Sequence, residues 1–126
     1  MHLVNSILTM KRNQASHIIG KTTRTAFRRV HEVLASILDQ ALASLETPGE
    51  LSRIQLNLSR SLVLVKYQES RDQLSRELAS ILTSLISGLS NELAEEAPLE
   101  HKREVIERCR TFLDSLLVLV YSHKRR

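Results

Sequence analysis

The sequence predicts an all-α fold, a compact bundle of four to five mostly antiparallel helices in a single domain over residues 1–126. Three observations predict it. The chain has 126 residues, one domain's worth. Hydrophobic residues make up 42% and charged residues 25%, the balance of a chain that forms a core. Aromatics are only 3%, with no Trp, three Gly and two Pro, too few for strands closed by Gly-rich turns.

The elements follow in order. Residues 1–20 form an N-terminal segment with room for a short helix over Leu3–Met10, ahead of a bundle core over 21–126. Gly20 to Thr23 is a break, Gly20 offering a C-cap and Thr22 or Thr23 an N-cap. From Thr23 to Leu45 the apolar residues recur at i, i+3, i+4 and i+7, the most secure helix in the chain. Thr47-Pro48-Gly49 ends it. Glu50 to about Tyr67 is apolar over most of its circumference, which reads as a central, largely enclosed helix. A strand over 62–67 is the lesser alternative. From Arg71 to Leu93 the pattern is helical in a new phase, so the chain either breaks near 68–72 or packs one long helix on two sides. Glu95-Glu96-Ala97-Pro98 is the last break, and Pro98 can open a helix running to about His123.

Charge is unevenly spread. Residues 1–35 hold six basic side chains against Glu32 alone, residues 36–100 five basic and ten acidic, and residues 101–126 seven basic and three acidic. Arg outnumbers Lys 13 to 5, and Arg suits bidentate contact with phosphate. The single Cys109 excludes an intrachain disulfide and a Cys-rich zinc cage. No secretory signal is apparent, and the longest apolar run, Leu116–Tyr121, is far short of a bilayer's roughly 20 residues. These features fit a cytoplasmic chain without a membrane partner.

No catalytic constellation, metal-ligand spacing or phosphate loop is recognisable, so no catalytic residue, metal or cofactor is expected. Helical ribonucleases of one family set Arg and His four to six residues apart. Arg12 with His17 and Arg24 with His31 satisfy that loose spacing, which 13 Arg and five His also match by chance. The clearer signal is for backbone contact. Arg53, Arg60, Tyr67 and Arg71 stand at i, i+7, i+14 and i+18, almost one line along a helix. Lys21, Arg24, Arg28 and Arg29 crowd a helix start, where positive charge opposes the macrodipole and points to a purpose other than stability.

Three stretches carry a family resemblance. Thr23-Arg24-Thr25-Ala26-Phe27-Arg28-Arg29 is similar to a Thr-Thr-Ser-x-Leu-Arg-Lys helix opening. Tyr67-Gln68-Glu69-Ser70-Arg71 is similar to a Tyr-x-x-x-Arg element. Cys109 to Leu117, followed by Tyr121-Ser122-His123-Lys124, is similar to a closing Phe-x-x-x-x-Glu-Ala-Leu-Val-Ala-Tyr-x-Lys helix. In this order they resemble the small helical subunit of type III-A (Csm-type) CRISPR effector complexes, or its relative in type III-D. The resemblance implies a non-catalytic protein that stacks in a filament beside other subunits and touches the backbone of guide RNA paired to target RNA. It reads shape and leaves sequence to base pairing. Arg28, Arg29, Arg60, Lys66 and Arg71 are then expected to face RNA, with Arg24 and Arg53 behind them. A toxin–antitoxin ribonuclease, and a structural helical oligomer or accessory bundle, are the alternatives.

Overall fold

A computed structural model describes residues 12–124, five helices and no strand. They are α1 (Arg12–Ile19), α2 (Arg24–Ala43), α3 (Glu50–Ser70), α4 (Arg76–Ala94) and α5 (Leu99–Lys124). The expected helix over Leu3–Met10 lies outside the described residues, as does the Arg12 side chain of the Arg12–His17 spacing.

Helices α2 to α5 form a four-helix ring in which each packs on its neighbours in chain order and α5 closes back on α2. Short connections force antiparallel neighbours. Side-chain pairs show the same sense: Gln55 of α3 donates to the Ser90 carbonyl of α4, and Lys102 of α5 donates to the Leu93 carbonyl of α4. Among the described helices the short α1 lies against α4 and α5 alone. Its Ala15 and Ile19 are buried in the common core, so that core begins inside the segment assigned to residues 1–20.

The breaks have local causes. Gly20 turns the chain at φ +49°, and Thr23 caps α2 by accepting from the Ala26 N–H at 3.1 Å. Helix α2 stops at Ala43 ahead of Pro48 and of Gly49 at φ +85°. The phase change near residue 70 is a true break. Tyr67 and Gln68 carbonyls take N–H groups from 71, 73 and 74, Asp72 adopts φ +59°, and Ser75 caps α4. Pro98 stands just ahead of α5, where its carbonyl accepts from the His101 and Lys102 N–H groups.

One expectation is corrected. Helix α3 is neither central nor enclosed, and residues 62–67 are helix, not strand. Among the described helices it touches only α2 and α4. Its buried residues Ile54, Leu58, Ser61 and Val65 form a single narrow stripe, while Leu56 and Val63 turn outward. An apolar count around a helix does not say how many neighbours one chain supplies.

The first turns of α2 and α4 meet at a buried junction. Thr22, fully buried, accepts the Ser75 N–H at 2.8 Å. The Ser75 hydroxyl donates to the Ile18 carbonyl at 2.5 Å while accepting the Leu78 N–H. Thr23 donates its N–H to the Gln73 carbonyl and its hydroxyl to Gln73 Oε1. A Cβ on Gly20 would stand 3.1 Å from that of Ser75, a tight approach that adds to the φ of +49° in favouring glycine there.

Candidate nucleic-acid interface

Consecutive helical residues point about 100° apart, and that rotation divides the basic start of α2. Arg24 turns inward. It donates to the Tyr121 carbonyl at 3.1 Å and lies 5.2 Å from the Tyr121 ring centroid. A cation at the last turn of α5 is favoured by that helix's macrodipole, so Arg24 has a stabilising role after all. Arg28 is exposed and pairs with Glu32 at 3.5 Å. Arg29, one residue on, opens instead into the seam between α2 and α3.

That seam is a shallow groove of about 730 Å³ whose rim includes Arg29 of α2 and Arg60 of α3, with Val33, Ile37 and Leu64 among its lining. Two of the expected RNA-facing residues, 31 positions apart in sequence, thus share one concave surface. Arg53 continues the line of Arg60 toward the start of α3, with Glu50 at 3.9 Å. Arg71 follows the end of the helix, and its Nη1 donates to the Tyr67 hydroxyl at 3.1 Å with the ring 5.5 Å away. Lys66 is exposed on the other flank of α3, toward α4, and does not join this group. Arg28 and Lys66 therefore stand apart from the groove, and Arg24 is engaged inside the fold.

A second polar group lies between α2 and α5. His31 Nε2 is 2.8 Å from Asp114 Oδ1, and the His31 side chain is only 12% exposed. Arg110 Nε reaches Asp39 at 3.1 Å, and its Nη1 donates to Asp114. Burial alone would lower the Arg110 pKa, but hydrogen bonding to Asp39 and the charge of Asp114 outweigh it and raise the guanidinium above its ordinary value. A hollow of about 560 Å³ opens over His31, Asp39 and Arg110. Asp39, Arg110 and Asp114 carried no functional reading in the sequence. Their one signal was the spacing of polar residues at i, i+7 and i+15 in α2 (24, 31, 39) opposite 121, 114 and 110 in α5, which becomes legible only once the two helices are paired.

Of the other described histidines, His17 pairs with Glu77 at 3.6 Å and His101 with Glu92 at 3.5 Å at the surface. His123 Nε2 is 3.2 Å from the Ser16 hydroxyl and ties α5 to α1. Among the described residues no three His, Cys, Asp or Glu side chains gather as a metal site. None of the described helices is long and apolar enough to cross a membrane. Comparison with protein families, with characterised proteins and with solved structures finds no match to this chain.

Proposed function

We propose that the chain is a non-catalytic RNA-binding subunit of a type III CRISPR effector complex, of the III-A or III-D kind, working in the cytoplasm. In this reading it holds the sugar-phosphate backbone of guide and target RNA, beside other subunits and further copies of itself. The observation that carries the RNA contact is the convergence of Arg29 and Arg60 on one exposed groove, with Arg53 and Arg71 extending the basic line along α3. Guanidinium groups set along a helix seam meet phosphates without reading bases, which suits a partner whose sequence varies. The three motif stretches supply the assignment to the effector complex.

The test is RNA retention by the full chain across a salt series. Affinity should fall by a log–log slope of about −0.7 per phosphate contact for single strands. Replacing Arg29 and Arg60 by Ala should lower affinity about equally for unrelated sequences and reduce the slope by roughly 1.4, two contacts' worth. The control pair Arg103→Ala and Arg108→Ala, on α5, should leave both quantities in place. Unchanged affinity and slope in the Arg29/Arg60 variant would make the groove ordinary solvated surface.

A second reading, a helical ribonuclease, draws on the His31–Asp114 pair with Arg110 behind it. Its Arg24–His31 spacing is not realised, because Arg24 is engaged at Tyr121. RNA cleavage abolished by His31→Ala would put this reading first.

A further inference from the structure

The outer face of α3 combines three properties that its place in the monomer does not explain. Leu56, Val63 and Tyr67 stand at i, i+7 and i+11 and are 51%, 69% and 52% exposed. They share one side of the helix, opposite the stripe that packs on α2 and α4. Exposed Ser52, Ser59 and Ser70 lie along one border of the same side, at i, i+7 and i+18. Isolated exposed apolar residues are commonplace, but three aligned on one side of a helix form a patch that asks for a cover.

Charge decides the kind of cover. Arg53 and Arg60 border the apolar run on one side and Lys66 on the other, while Arg71 follows its end, all four exposed. The two carboxylates of the helix, Glu50 and Glu69, are half-buried and lie off this face. We propose that the outer face of α3 is a docking surface for an amphipathic helix of another protein, one whose apolar stripe is flanked by carboxylates. Such a helix matches both features at once, covering Leu56 and Val63 while setting acids against the basic borders.

Two other occupants fit less well. A second copy paired through the same face would bring Arg53, Arg60, Lys66 and Arg71 against their own kind, and like charges across an interface repel. RNA would gain little from Leu56 and Val63, which offer no plane for a base, and the Tyr67 ring already holds the Arg71 guanidinium. The docking surface shares Arg53, Arg60 and Arg71 with the basic line proposed for RNA, but Leu56 and Val63 belong to it alone, so the variants at those two residues test it separately.

The experiment uses the full chain and three labelled peptides of about 20 residues, followed by fluorescence anisotropy. One peptide carries Leu at i, i+3, i+4 and i+7 with Glu on the flanks, one has Lys in place of each Glu, and one scrambles the first. The acidic amphipathic peptide should bind, and the other two should bind at least tenfold more weakly. Leu56→Ser with Val63→Ser should cost the acidic peptide at least tenfold while thermal stability and RNA retention stay unchanged, because both side chains are already exposed. Arg53→Glu with Lys66→Glu should turn the preference toward the Lys peptide. Equal binding of all three peptides, or an apolar double variant that binds as well as the parent, would overturn the proposal. A dimer in sedimentation that the double variant abolishes would make a second copy the occupant, and loss of RNA retention in that variant would make it RNA. Either result also refutes the assignment.

Discussion

Cys109 is the one thiol in the chain, and its surroundings set its chemistry. It is half-buried, and burial, followed by the charge of Glu92, raises its pKa from 9.0 to about 11. The thiol therefore stays protonated at neutral pH and is a poor nucleophile. The sign of its linkage to stability follows. Between pH 9 and 11 the unfolded chain has released this proton and the native chain has not, so rising pH favours unfolding. Below pH 9 both states hold it and the slope vanishes. Urea midpoints for the parent and for Cys109→Ala should thus differ by a constant amount from pH 7 to 8.5. Near pH 10 the parent should lose ground relative to the variant. A difference that stays flat through pH 10.5 would mean that the thiol ionises as freely in the fold as outside it. Arg24 gives the opposite lesson at the same scale. Its position at a helix start reads as unfavourable in sequence, because the favourable partner, the last turn of α5, is 97 residues away.

At the scale of elements, helix existence and the breaks at Thr47–Gly49 and Glu95–Pro98 were legible, since periodicity and Pro or Gly are local signals. The break between α3 and α4 was half legible. The phase change marked it, but the Asp72 turn at φ +59° has no glycine to announce it. The place of α3 was not legible, for the reason its outward Leu56 and Val63 make plain. Of the candidate site, the exposed line Arg53, Arg60, Tyr67 could be read from helical spacing alone. The pairing of Arg60 with Arg29 needed the α2–α3 packing, and the division of Arg28 from Arg29 needed the orientation of α2. Ser75 tests the account of the helix starts. It caps α4, donates to the Ile18 carbonyl and gives its N–H to Thr22. Loss of a cap costs about 1 kcal/mol, and a stranded, partly buried carbonyl adds about 1–3 kcal/mol. Ser75→Ala should therefore cost about 2–4 kcal/mol by chemical denaturation. Ser70→Ala, which removes one exposed bond to the Tyr67 carbonyl, should cost under about 1 kcal/mol. Equal costs for the two would remove the junction from the list of what holds the bundle together.

For the molecule as a whole, charge and packing divide the labour. The ring of α2 to α5 buries the apolar residues, the α2–α5 seam spends its charges on Asp39, Arg110, Asp114 and His31, and the α2–α3 seam leaves Arg29 and Arg60 open to solvent. The second seam thus keeps two arginines within reach of a partner, with Glu32 also among its lining. The junction of the two turns also has a consequence in time. Thr22 meets Ser75 across 53 residues and Thr23 meets Gln73 across 50, so forming these bonds closes a loop that contains the entire α2–α3 pair. Closing that loop costs entropy until α2 and α3 have folded against each other and brought its ends together. Helix α1 packs on α4 and α5, outside the α2–α3 pair, so it is expected to join after the rate-limiting step. Truncating Ile19 to Val should then speed unfolding and leave the refolding rate almost unchanged. A matched truncation of Ile37 in α2 should slow refolding. Refolding slowed equally by both would place α1 in the nucleus. The glycine that lets two turns touch is thereby a late clasp, fastened onto a ring already assembled.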